Sequence, residues 1–368
     1  MKLVRKTSPY LRRKADVSRM MLDVLIALTP IVIFSLYYFG LGALKVILTS
    51  VITMVICEAL FVALVNIPEK KENERSFIRL FSKENLRIMF KNYRKTNLLS
   101  SLVSAIIYAM IMPAGCSIFV LVIGALAGIV LGKLVFGGLG SNIFNPAAVG
   151  RIFVMACGFP IVATNVDATT GATPLQDLKN VIDGVSTQYS SINDFLSNTN
   201  YSLSELFLGT VPGAIGEVSC LLILIGAIYL FVRRSADFRA TLACLGGFIF
   251  VNFFAALALN ANIVQFILFN LLAGGILFAA VFMVTDPITS PVTGRGRIVY
   301  GMLVGIIASF IRLFGAYPEG AAFAILIMNM LVPVIDYYRW SNTKYTPKYF
   351  AFVAICLALT ATLVFVGL

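Results

Sequence analysis

The sequence contains no histidine. That absence excludes imidazole-ligated haem, histidine-containing zinc sites and histidine proton relays. Charge is scarce as well: Asp, Glu, Lys and Arg make up 12% of 368 residues, against 59% hydrophobic. A soluble domain needs a far more charged surface, so most of the chain must face lipid or other apolar chain. The six cysteines (Cys57, Cys116, Cys157, Cys220, Cys244 and Cys356) form no CxxC pair and mostly sit in or beside apolar runs. They read as small buried hydrophobes, and neither a metal site nor an iron–sulfur cluster is expected within this chain. Acidic residues are the rarer sign, 17 against 29 basic, for a net charge of +12. The basic residues lie beside apolar spans, where they set topology, so no nucleic-acid partner is expected. Neither GxGxxG nor GxxxxGK[ST] occurs, which leaves no phosphate-loop signature.

What is present is length enough to cross a bilayer many times. Mean hydropathy is +0.92. Apolar runs fall at 22–39, 42–66, 98–113, 117–136, 147–163, 217–232, 240–258, 263–284, 298–315, 320–338 and 350–367. A span needs ~20 residues, so the short runs 98–113 and 147–163 are expected to be broken or tilted. No small-residue cleavage site follows the basic N-terminus, and the first span is expected to remain uncleaved.

Lysine and arginine placement orients the spans. Residues 1–21 and the loop 67–97 are strongly basic and are expected on the cytoplasmic side. Two runs separate them, as that placement requires. Three more put 164–216 outside, and this loop carries Lys179 alone against Asp167, Asp177, Asp183, Asp194 and Glu205. "RRSADFR" (233–239) and "RWSNTKYTPK" (339–348) return to the inside. The count predicts a first five-span unit over 22–163 and a second over 217–338. An odd-numbered unit that repeats must be inverted. A loose internal match supports the repeat: "AIIYAMIMPAG" (105–115) and "FAAVFMVTDPI" (278–288) both break at a proline. Residues 339–368 add a cytoplasmic linker and an extra C-terminal span. The expected fold is an all-α polytopic bundle of five plus five inverted spans with broken helices.

Three polar stretches could carry chemistry. "GGLGSNIFNPAAVGR" (137–151) has too much glycine, asparagine and proline for a continuous helix. Its Asn142 and Asn145 either cap the fifth span or face a ligand with donors and acceptors together. "TDPITSPVTGRGR" (285–297) holds Asp286 and Arg295; it is either a topology-setting loop or a polar floor for a ligand. "DATTGATPL" (167–175) lies in the acidic outside loop. A lone threonine is no nucleophile without a base, so Thr173 fits a modified residue better than a catalyst. Glu58 is the carboxylate placed well inside a predicted span. Such acids are candidates for ion transport, or for pairing with a neighbouring lysine or a partner subunit.

"DATTGAT" resembles the flavinylation sequence Asp-x-x-(Ser/Thr)-Gly-Ala-Thr, with Asp167, Thr170, Gly171 and Ala172 as recognition residues and Thr173 as acceptor. "FGGLGSNIFNPAAVGR", "TDPITSPVTGRG" and "VPVIDYY" (332–338) are similar to signature stretches of the RnfD/NqrB family of membrane redox subunits, above all its RnfD branch. The likeness runs along nearly the whole chain in the expected order. It implies a urea-channel-like fold in the bacterial cytoplasmic (inner) membrane, with FMN joined to Thr173 by a flavin transferase. It also implies a second, noncovalent flavin, riboflavin, for which Asn142, Asn145, Asp286 and Arg295 are candidate contacts. The implied role is an electron-transfer subunit of a redox-driven Na+ or H+ translocating ferredoxin:NAD oxidoreductase. The implied partners are iron–sulfur subunits, a second covalent-FMN subunit and membrane lipid. The alternatives are an NqrB-like subunit of a Na+-translocating NADH:quinone reductase and a five-plus-five solute channel. No residue of this chain is expected to be catalytic by itself.

Overall fold

A computed structural model describes residues 17–66, 89, 93–158, 174–185, 189, 191–199, 201–209, 211, 213–217, 219–315, 317, 319–337 and 344–368. Among the described residues all regular structure is helical. The first half comprises α1 (Val17–Phe39), α2 (Leu41–Val65), α3 (Lys95–Ile111), α4 (Ile118–Ile129) and α5 (Pro146–Ala156). Helix α4 runs on into a π-turn, Val130–Leu134. Three short helices follow: α6 (Pro174–Ile182), α7 (Ile192–Asn198) and α8 (Leu203–Leu208). The second half comprises α9 (Cys220–Arg233), α10 (Phe238–Ala258), α11 (Ile263–Leu272), α12 (Ile276–Phe278), α13 (Gly294–Phe314) and α14 (Ala321–Ile335). Helix α12 also continues as a π-turn, Ala279–Met283. Helix α15 (Pro347–Gly367) closes the chain.

Local chemistry explains these limits. Ser117, Asn145, Ser191, Ser202, Ser219, Asp237, Asn262 and Thr293 each cap a helix start by accepting from a backbone N–H of its first turn. Helix α3 ends where Met112 turns extended at ψ 148. The residue before a proline, here Pro113, is driven there by its ring.

The protein is a multi-pass membrane protein. Five helices (α1, α2, α10, α13 and α15) are long and apolar enough to cross a bilayer, and α11 with α12 makes a sixth if the bent pair is one span. Shorter apolar helices occupy the remaining predicted runs. Of the two runs expected to be broken or tilted, 98–113 gives helix α3 and 147–163 the short helix α5, neither of them broken among its described residues. The break falls instead in the eighth run, where α11 and α12 meet at 67°. Gly274 causes it: its φ of +93° lies in a region closed to side chains with a Cβ, and no α-helix passes through it.

In both halves the second span packs on the third and fourth, and the fourth on the fifth. The centre is formed by 276–284, where every side chain is buried. The perimeter is apolar and exposed. Ile52, Ile56, Leu60 and Leu64 make a lipid-facing ridge four residues apart on α2. Helix α15 is more peripheral still: it lies against α10 and α13 and leaves Phe352, Ile355, Leu359 and Leu363 exposed on its outer face.

Candidate functional site

The side from which α1 starts is called the N side here. Two irregular loops meet there: 135–145, after the π-turn of α4, and 284–293, after that of α12. With the starts of α1 and α3 they enclose a cleft whose interior measures about 60 Å³, against about 720 Å³ when its open mouth is counted. Its walls are mostly apolar, with Met20, Met21, Val24, Ile107, Val281 and Phe282, and its polar groups include Ser100, Lys133, Asn142, Asn145 and Asp286. Few polar groups on an apolar wall is the usual make-up of a cofactor pocket. A wider vestibule adjoins it past Thr285 and Pro287, where Arg234, Arg239 and Arg297 stand.

Asn142, Asn145 and Asp286, singled out above, are therefore brought to one cavity. Their roles differ. Asn145 Oδ1 accepts from Ala147 N and Ala148 N at 3.1 and 3.4 Å, so its oxygen is committed to capping α5. Asn142 donates to the Phe144 carbonyl at 3.4 Å, while its Oδ1 is buried and has no hydrogen-bond partner. Such an acceptor is costly unless a ligand supplies a donor. Asp286 accepts from Ile288 N and the Thr289 hydroxyl, both at 3.1 Å, which folds its own turn. Burial raises its carboxyl above the ordinary range, against the lowering effects of those two donors and of the Lys133 charge. Arg295 does not join them. Its guanidinium stacks on Tyr349, 4.5 Å from the ring centroid, and donates to the Lys344 carbonyl. It fastens the linker before α15 and lines no wall of the cleft. The third signature also closes on this side: Val292 N donates to Asp336 Oδ2 at 2.9 Å, which ties 285–293 to the end of α14.

Glu58 has a partner. Its Oε2 lies 2.6 Å from Lys133 Nζ, both side chains are 1% exposed, and the Ser101 hydroxyl donates to it. Lys133 also donates to Ser100 Oγ at 2.9 Å. A second buried acid, Asp23, takes Arg233 at 3.1 Å, Tyr229 at 3.3 Å and the Ser235 hydroxyl, which joins α1 to the end of α9. Lys133 and Asp23 escaped the sequence reading, because single charges near span ends look like topology signals.

The opposite side carries the long connection. Asp167, Thr170, Gly171, Ala172 and Thr173 lie outside the described residues. The residue after Thr173, Pro174, opens α6. Leu175 and Leu178 are buried, and Lys179 donates to the Arg312 carbonyl at 3.4 Å, so α6 is docked on the bundle. Burial raises the Asp177 carboxyl of this helix. Leu175 packs onto the break at Gly274, and a Cβ there would collide with it. Glu319 accepts from Gly275 N at 3.1 Å, and Glu217 accepts from Ala214 N at 3.3 Å. The two carboxyls lie near enough to act on each other electrostatically.

The whole arrangement can be set beside known proteins. The model of the NQR2, RnfD, RnfE family matches residues 4–79 and 83–344. The chain belongs to that family. Among its relatives is a subunit of the proton-translocating ferredoxin:NAD(+) oxidoreductase complex of Clostridium ljungdahlii, 31% identical over 90% of this chain and 92% of that one. The corresponding protein of the Na(+)-translocating ferredoxin:NAD(+) oxidoreductase complex of Acetobacterium woodii is 32% identical, over 90% and 91%. That of the ion-translocating oxidoreductase complex of Actinobacillus succinogenes is 31% identical, over 90% and 95%. For this NQR2, RnfD, RnfE family member, the N-side cleft and the docked start of α6 are the two places built from its irregular segments.

Proposed function

We propose that this chain is the membrane flavoprotein subunit of a redox-driven, ion-translocating ferredoxin:NAD oxidoreductase complex. In this reading Thr173 carries FMN through a phosphoester on the extracytoplasmic side, and the N-side cleft holds a second flavin on the cytoplasmic side. The bound flavins supply the electron-transfer chemistry, and the chain's own residues bind and orient them. The carrying observation for the cleft is Asn142: an orphaned buried acceptor beside a cationic donor, Lys133, between apolar walls. That set suits a flat heterocycle whose edge alternates carbonyl and N–H groups. For the covalent group, support comes from "DATTGAT" and from the docking of α6, which holds the chain one residue past Thr173. The acidic long loop is a poor anion site, so a tether retains a phosphorylated ligand where ion pairs would not. The complex is expected to reside in the cytoplasmic membrane with iron–sulfur and further flavin subunits. Relatives of nearly equal identity are named for different ions, H+ and Na+, so resemblance alone does not choose the cation.

The test is in-gel ultraviolet fluorescence after denaturation. Wild-type protein fluoresces, Thr173→Ala does not although it inserts, and Thr170→Ala retains part of the signal because it alters only the transferase's recognition sequence. Undiminished fluorescence of Thr173→Ala would refute the attachment. Acid extraction of the same preparations should release about one equivalent of noncovalent flavin; none released would remove the second site.

A further inference from the structure

The Glu58–Lys133 pair forms a charged wall of the cleft. Lysine's ammonium has three N–H donors. Glu58 takes one at 2.6 Å and Ser100 takes another at 2.9 Å. The third remains for the cavity that Lys133 lines. Its position depends on the π-turn Val130–Leu134, because π-turns shift side chains out of α-helical register and recur at functional sites. Gly132 lets that turn press on the start of α5: a Cβ there would lie 2.8 Å from Pro146 Cα. Lys133 is thereby seated next to the Asn142–Asn145 loop.

Stability alone gives weak reason for this pair. A buried ion pair is often no more stabilising than well-packed apolar residues of similar volume. Burying it on the wall of a cavity invites a functional reason. The acidic groups acting on Lys133 are Glu58, in contact, and Asp286, across the cleft. Asp286 already gives its oxygens to its own turn. Together the cleft offers one cationic donor, Lys133, and one unpartnered neutral acceptor, Asn142 Oδ1. The complementary ligand edge carries an electron-rich carbonyl and an N–H. A quinone has the carbonyls and lacks the N–H.

We propose that Lys133, held in place by Glu58, recognises the carbonyl edge of the ring bound in the N-side cleft and favours its reduced, anionic form over the oxidised form. Glu58 is a positioning residue that keeps the ammonium oriented without itself reaching the ligand. The inference rests on the reading of the cleft as a flavin site. Two electrons and one proton convert the neutral oxidised ring to its reduced anion. The electrons come from a low-potential ferredoxin or a reduced nicotinamide and the proton from water. Lys133 contributes charge and keeps its own proton.

The experiment is a spectroelectrochemical titration of the full chain in detergent, in a Thr173→Ala background so that only noncovalent flavin is seen. Wild-type Lys133 sets the reference. Lys133→Met should weaken the preference for the reduced ring ten- to a hundredfold, lowering a two-electron potential by about 30 to 60 mV. Lys133→Arg, which keeps the charge, should stay near the reference. Glu58→Gln/Lys133→Gln keeps hydrogen-bonding side chains of similar size without either charge, so it should insert, hold flavin and show a lowered potential. Loss of flavin from Lys133→Met and from the double variant, with retention in Lys133→Arg, would also support recognition by the ammonium. An unchanged potential in Lys133→Met or in the double variant, or loss of flavin from Lys133→Met alone, would mark the pair as structural and overturn the proposal. A reference protein that releases no flavin on acid extraction fails at an earlier step, and refutes the cleft reading instead.

Discussion

At the scale of single residues, two asparagines three positions apart divide the possible roles between them. Asn145 caps a helix, and Asn142 leaves a buried oxygen facing a cavity. The expected consequences separate cleanly. Asn145→Ala should cost about 1 kcal/mol of stability through the lost cap and leave flavin content largely intact. Asn142→Leu should keep the melting temperature within a few degrees and lower acid-extractable flavin at least several-fold. Thermal unfolding of detergent-solubilised protein and flavin quantitation check both. The opposite assignment, flavin lost from Asn145→Ala and stability lost from Asn142→Leu, would show the roles reversed. Sequence reasoning placed both asparagines in play, because Asn-Pro before an apolar run reads equally as a cap and as a polar site.

Between elements, the tightest approach is that of α10 to α13. Gly301 and Gly305 sit one turn apart on α13, and a Cβ at either would collide with a carbonyl oxygen of α10, that of Ala240 or Cys244. Gly247 on α10 meets Met302 of α13 in the same way. Small residues let backbones touch where no hydrophobic drive separates helix from lipid. Asp237 and Arg297 close the N-side end of the same pair at 2.7 Å. Gly305→Leu should therefore force α10 and α13 apart, at a cost of ~1–3 kcal/mol or more from overpacking. The readout is a lower apparent melting temperature, with Gly246→Leu as control because nothing lies within 4 Å of a Cβ there. Equal effects of the two would argue against close backbone contact. The spacing of the glycines is visible in sequence, but their partner helix is not, since every span is apolar.

For the whole molecule the open quantity is orientation. Basic residues crowd the segments 1–21 and 67–97, and acidic ones the segment 164–216. In a cysteine-free background, an impermeant thiol reagent applied to intact cells should modify Ser191→Cys, whose position is exposed, and spare Ser82→Cys. The reverse pattern would put the proposed FMN on the cytoplasmic side and exchange the sides of both flavins. Within the molecule the N-side cleft and the docked α6 lie at opposite ends of the buried segment 276–284. The bundle therefore separates its two candidate sites by its own most buried helix.

Apolar run length, charge asymmetry and proline or glycine punctuation are local properties. They sufficed for the all-helical membrane class, for most span positions, and for the three signature stretches. Burial and pairing are not local. Glu58 stood out as an acid in a span, yet its partner Lys133 lies 75 residues away on a π-turn that no periodicity announces. Arg295 and Asp286 are near neighbours in one motif, but Arg295 in the first turn of α13 stacks on Tyr349 while Asp286 in the preceding loop lines the cleft. The broken helix fell in the eighth span, because one left-handed glycine counts for more than the length of an apolar run. Packing in three dimensions decided which polar groups share a cavity, since in a chain this apolar a buried charge must find its partner wherever the fold brings one.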